Sequence, residues 1–88
     1  MFDKMYVKAC ILSLQFDEAF DYIMEFANKG DPEGYYHLGW FYLDGIGVEE
    51  DVDEAKHFFR LAAQKNHDRS KMILNSLNIE YESLSIDN

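Results

Sequence analysis

Apolar residues along the 88-residue chain recur at three- and four-residue spacings, and no stretch alternates in the manner of a strand. Ala19, Ile23, Phe26 and Ala27 share one helical stripe, and Ala55, Phe59, Ala62 and Ala63 share another. One proline and five glycines interrupt the chain, clustered between Gly30 and Gly47, so the pattern predicts helices near 3–14, 17–29, 32–43, 52–65 and 68–80 joined by sharp turns, with a fraying tail. The punctuation is specific. Asp31 before Pro32 supplies an N-cap acceptor and then a residue lacking an N–H, where that donor would be idle. Asp51 with Glu54 has the spacing of a capping box, and Gly45-Ile46-Gly47 supplies a tight turn with Val48 tucking inward.

Shifted by 36 residues, DEAFDYIMEFANKG from Asp17 to Gly30 lies on DEAKHFFRLAAQKN from Asp53 to Asn66. Asp17, Glu18, Ala19, Ala27 and Lys29 recur as Asp53, Glu54, Ala55, Ala63 and Lys65. A period of that length carrying two helices is the mark of a stacked helical repeat. Gly39, one turn after Tyr35 and one before Tyr42 and Leu43, lets a neighbouring helix come close. Ala55, Ala62 and Ala63 are the expected small surfaces opposite it, with Tyr42, Phe58 and Phe59 filling the remainder.

The segment from Pro32 to Asn66 resembles a Sel-like repeat, a relative of the tetratricopeptide repeat. Leu38, Gly39 and Tyr42 carry the motif in the first helix, Gly45, Gly47 and Val48 in the loop, and Asp51, Ala55, Phe58, Ala62 and Ala63 in the second helix. Glu49 stands where the family often has proline, and Asn66 where a helix-ending glycine is usual. The expected fold is therefore all-α, a short α-solenoid of antiparallel helix hairpins with about five helices. One domain spans 1–88: an N-terminal helix and the second helix of a partial repeat in 1–30, a complete repeat in 31–66, and a capping helix with a tail in 67–88. The glycine loop is missing before Asp17, so residues 1–14 match the family poorly. The resemblance implies a non-catalytic adaptor that binds a partner protein.

Composition narrows the chemistry. Eight basic and seventeen acidic residues give a net charge of −9, the wrong sign for a phosphate backbone, so nucleic acid is excluded as a direct ligand. Residues 1–55 hold three basic and thirteen acidic groups, whereas 56–88 hold five and four, so the charge sits in the first part of the chain. No apolar run approaches the ~18 residues of a membrane helix, and Ala9 to Leu12 is shorter than a secretory apolar stretch of about seven or more. A cytoplasmic location is expected. Cys10 is the single cysteine, which rules out an internal disulfide. His57 and His67 are too far apart along a helix to share a metal, Glu49 to Glu54 lack the ligand spacing of a calcium loop, and no lysine follows Gly47 at phosphate-loop spacing. No enzyme, metal or cofactor is expected.

Two surfaces are candidates for a partner. With Leu38, Gly39 and Tyr42 turned to the neighbouring helix, Glu33, His37 and Trp40 are expected to point the other way, toward the concave side of the solenoid, as one stripe. Glu49, Glu50 and Asp53 belong to a run of five carboxylates in six residues that suits a basic protein surface, and Asp51, Asp53 and Glu54 also suit a helix N-terminus. The alternative function is that of an acidic inhibitor, an immunity protein or antitoxin that neutralises a basic toxin or enzyme. Few repeats leave apolar ends: Tyr6, Val7, Ile11 and Leu14 at the start, and Met72, Ile73, Leu77 and Ile79 at the close, either cap the stack or meet a partner, including a second copy of the chain.

Overall fold

The computed structural model describes the backbone of residues 1–86 and the side chains of residues 1–77. Five helices follow in order: α1 Lys4–Leu12, α2 Phe16–Asn28, α3 Pro32–Asp44, α4 Val52–Gln64 and α5 Asp68–Ile86, with no strand among the described residues. Each helix packs on the next in sequence, as in a solenoid.

Two core clusters lie on opposite sides of α3. Leu38 and Phe41 face Val7 and Cys10 of α1 and Ala19, Ile23 and Ala27 of α2. Tyr36, Trp40, Tyr42 and Leu43 pack around Ala55 and Phe59 of α4 and Leu77 of α5. A helix between two layers must be apolar on both sides, which is why α3 shows no single apolar stripe while α2 and α4 do. Gly39 is buried as expected, but its neighbour is the Phe59 ring rather than the alanines: a Cβ there would lie 2.5 Å from Phe59 Cε1. Ala55 and Ala62 are fully buried beside this contact, whereas Ala63 is only half-buried.

Helix starts follow the caps. Asp31 Oδ1 accepts from Glu33 N–H at 2.9 Å, Asp51 Oδ1 accepts from Glu54 N–H at 3.1 Å, and Asp3 Oδ1 accepts from Met5 N–H at 2.9 Å. The ends of α1 to α4 share one device. A residue with φ between 60° and 79° follows each helix: Leu14, Gly30, Gly45 and Asn66. Behind it, paired backbone bonds satisfy the last carbonyls, such as Gln15 N–H to Cys10 O at 2.8 Å and His67 N–H to Ala62 O at 3.2 Å. Asn66 thus performs the task of the glycine it replaces.

Two expectations change at the helix ends. Helix α1 stops at Leu12 instead of 14, because Leu14 turns the chain at φ 60° within three connecting residues; the longer Gly45 to Asp51 loop of the second hairpin has no counterpart there. Helix α5 continues to Ile86 rather than ending near 80, since residues 80–86 contain neither glycine nor proline to stop it. Val7, Ile73 and Leu77 cap the stack, while Leu14 and Met72 keep 76% and 72% of their surface exposed. Ile79 lies outside the residues whose side chains are described.

Leucine in the left-handed region costs about 1 kcal/mol or more, part of which glycine would return as extra freedom in the unfolded chain. Leu14→Gly is therefore expected to stabilise the fold by ~0.5 kcal/mol, raising the melting temperature by about 2–4 °C in thermal denaturation followed by circular dichroism. A lower melting temperature would show that Leu14 contributes packing that its exposure does not reveal.

Candidate functional site

The N-terminal turn of α3 ties three helices together. Glu33, one residue past Pro32, is held with its carboxylate between α1 and α5. Its Oε1 lies 3.8 Å from Lys4 Nζ, and its Oε2 accepts a 2.9 Å hydrogen bond from His67 Nε2. The ring's other nitrogen assigns the tautomer. His67 Nδ1 accepts from the Ser70 backbone N–H at 3.2 Å and lies 2.9 Å from Ser70 Oγ, so the ring proton is on Nε2 and points at Glu33. His67 is thus the N-cap of α5, occupying the place usually held by Ser, Thr, Asp or Asn. Tyr36 lies over its ring at 4.6 Å between centroids.

Serine, histidine and carboxylate in hydrogen-bonded succession have the connectivity of an acyl-transfer triad. Ser70, however, is 0% exposed, and its own backbone N–H occupies the imidazole nitrogen that would take its proton. No substrate reaches that hydroxyl; the arrangement holds a helix end.

Glu33, His37 and Trp40 do occupy one stripe, and each is partly committed to the chain's own packing. His37 Nδ1 donates to the Glu33 carbonyl at 2.8 Å, and its ring lies 4.6 Å from that of Phe2. Trp40 meets Phe59 edge-on at 5.9 Å and Tyr36 at 6.4 Å. All three are half-buried, leaving the outer edge of the stripe in contact with solvent. Glu49, Glu50 and Asp53 are exposed at the start of α4, with Asp51 among them capping the helix and Asp53 and Glu54 in its first turn. Cys10 is buried and His57 is exposed beside Phe58. Among the described residues no three His, Cys, Asp or Glu side chains are disposed to hold a metal ion.

Two groups of this site have displaced protonation equilibria. Burial alone would raise the Glu33 carboxyl, but the hydrogen bond from His67 and the charge of Lys4 bring it below its ordinary value. Burial pushes the His37 imidazole down, outweighing the carbonyl that its N–H meets. Both shifts have the same consequence. As pH falls below about 6.5 the unfolded chain binds a proton at residue 37 before the folded one does, and below about 4.5 the same holds at residue 33, so stability is fully present above these values and drains away beneath them. The melting temperature is expected to fall from pH 7.5 to pH 5, and His37→Gln, which keeps a donor for the carbonyl, is expected to make that slope shallower. An unchanged slope would remove His37 from the account.

Helix hairpins stacked in sequence, each shielding one side of its neighbour, define a helical-repeat protein of the tetratricopeptide type. Residues 32–67 match the Sel1 repeat family, so α3, its glycine loop and α4 are a Sel1 repeat, a module through which proteins bind one another. The ERAD-associated E3 ubiquitin-protein ligase component HRD3B of Arabidopsis thaliana is 45% identical over 40 residues, a stretch covering 46% of this chain and 7% of that protein. No solved structure matches the chain. Among the described residues no helix is long and apolar enough to cross a membrane.

The sequence did not reveal Lys4, His67 or Ser70 in these positions, nor that Gly34 is buried against the α2 backbone at Phe26 and Ala27. Gly34 carried a weak signal, a glycine in the first turn of a helix that needs no flexibility there. The Lys4, Glu33 and His67 contact joins residues 29 and 34 positions apart and left no local trace.

Proposed function

We propose that the chain is a non-catalytic adaptor that binds another protein through the outer edge of the α3 stripe formed by Glu33, His37 and Trp40. The observation that carries this reading is a tryptophan and a histidine side by side on a repeat helix, anchored beneath by Phe59 and Phe2 and open along one edge. Rigid aromatic groups of this kind lose little side-chain freedom on binding and are enriched among residues that dominate interfaces. HRD3B, named as a component of a ligase, is consistent with a part played inside an assembly.

The test is affinity purification from the source cell, followed by calorimetry with the captured partner. Trp40→Leu preserves an apolar side chain against Phe59 while removing the indole edge, and is expected to weaken binding about tenfold or more. A second reading, the acidic inhibitor, draws on the exposed Glu49, Glu50 and Asp53 and on the thirteen acidic groups of residues 1–55. It predicts the opposite pattern: charge reversal at those three positions abolishes binding, the affinity falls steeply with salt, and Trp40→Leu has no effect.

A further inference from the structure

A hollow of about 380 Å³ opens between α1 and α2, floored by Tyr6 and Tyr22 and rimmed by Glu18, Asp21 and Glu25. The two rings are 4.6 Å apart and tilted by 55°, and Tyr6 keeps 41% of its surface exposed. Helical spacing explains the rim: Glu18, Asp21 and Glu25 stand at i, i+3 and i+7 on α2, with Tyr22 between them on the same face. None of the three carboxylates makes an ion pair among the described residues.

The repeat itself supplies a control for what packing requires. Helices α2 and α4 begin 36 residues apart and are both 13 residues long, so Glu18, Asp21, Tyr22 and Glu25 correspond to Glu54, His57, Phe58 and Leu61. The aromatic position is kept, and Phe58 stacks on Tyr42 at 5.6 Å with 15° between planes. The acidic positions are not: α4 has one carboxylate where α2 has three. Nothing in the hairpin's own packing asks for the other two.

Resting on the reading of the chain as a protein-binding module, we infer that this groove receives arginine side chains from an extended basic segment of the partner. Charge complementarity and shape both favour that occupant. A guanidinium lies flat on a tyrosine face while its edge bonds a carboxylate, which an ammonium cannot do. The three carboxylates span about 10 Å along α2, and alternate residues of an extended chain stand about 7 Å apart on one side, so two arginines separated by one residue reach both ends of the rim.

The probe is a blocked Gly-Arg-Gly-Arg-Gly peptide titrated into the ¹³C,¹⁵N-labelled chain at low salt. The Tyr6 and Tyr22 ring signals and the backbone amides of 18–25 are expected to shift together. The triple variant Glu18→Gln, Asp21→Asn, Glu25→Gln should weaken binding about tenfold, whereas the equally neutralised Asp44→Asn, Glu54→Gln, Asp68→Asn variant should change it by less than about twofold. The matching lysine peptide should bind about threefold more weakly. Equal losses in the two triple variants, an equally tight lysine peptide, or the absence of shifts at the tyrosines would each overturn the proposal. A captured partner whose affinity ignores the α2 variant yet falls with Trp40→Leu would overturn the groove and leave the adaptor reading standing.

Discussion

Phe59→Ala is expected to remove about 3–5 kcal/mol of stability, most of what a domain of this size possesses. The ring is the largest fully buried side chain of the cluster that joins α3, α4 and α5. Tyr36 and Trp40 approach its centroid at 6.0 and 5.9 Å, and the backbone of α3 presses against it at Gly39. With the Tyr36 and Trp40 rings and the α3 backbone around it, the site is expected to close only in part, so the lost transfer energy and the cavity add. Urea unfolding monitored by circular dichroism is the measurement, and a loss below about 1 kcal/mol would mean that the two layers are not coupled through this ring. The partner experiment is Gly39→Ala. Alone it forces the new methyl against the ring and is expected to destabilise; combined with Phe59→Leu, which shortens the obstructing side chain, the two changes should cost less than their sum. Additive losses would show that Gly39 serves some purpose other than making room for Phe59.

The contrast between Gly39 and its surroundings explains what could be read from the chain and what could not. The hairpin from Pro32, its glycine loop and the helix periods were legible because they depend on local chemistry: Asp31 and Asp51 accept from the turns they precede, and Gly45 and Asn66 take the left-handed conformation that ends a helix. Leu14 takes it as well, against its own preference, so α1 was expected to run two residues too far. Gly39 was correctly expected at a close contact, but whether a ring or a methyl lies opposite depends on the rotation of α4 about its axis, which periodicity leaves free by a fraction of a turn.

The same limit applies to the site. A stripe of Glu33, His37 and Trp40 follows from 100° per residue, yet which members are committed internally depends on where α1 and α5 deliver Lys4, Phe2 and His67. His67 in particular carried no expectation in the sequence beyond lying too far from His57 to share a metal. Its role as an N-cap emerges only when the Ser70 N–H and the Glu33 carboxylate are seen on either side of one ring. A cap of this kind needs a neutral imidazole with a free nitrogen toward its helix, which no spacing rule encodes.

Gly34→Ala is the second severe change, and here two effects of comparable size oppose each other. In an exposed helix the substitution would stabilise by about 1 kcal/mol, since alanine loses less backbone freedom on folding. Gly34 is not exposed: a Cβ at this position would lie 2.8 Å from the Phe26 carbonyl carbon and 3.0 Å from Ala27 Cα. These are backbone atoms in the last turn of α2, fixed by the Gly30 and Asp31 N–H bonds to Ala27 and Phe26, and unlike the Phe59 ring they cannot swing aside. The methyl can be accommodated only by moving α2 and α3 apart as rigid bodies, which loosens the contacts of Ile23, Ala27 and Leu38 at once. Overpacking of this sort costs about 1–3 kcal/mol and occasionally more; with backbone on both sides we expect the upper part of that range, a net loss after the propensity gain of about 2 kcal/mol. In thermal denaturation the midpoint should fall by ~10 °C, and amide exchange should accelerate through α2 and the start of α3 while α4 is spared. A raised midpoint would mean that helix propensity decides at position 34, and that the close crossing of these two helices is not what holds the first hairpin against the second.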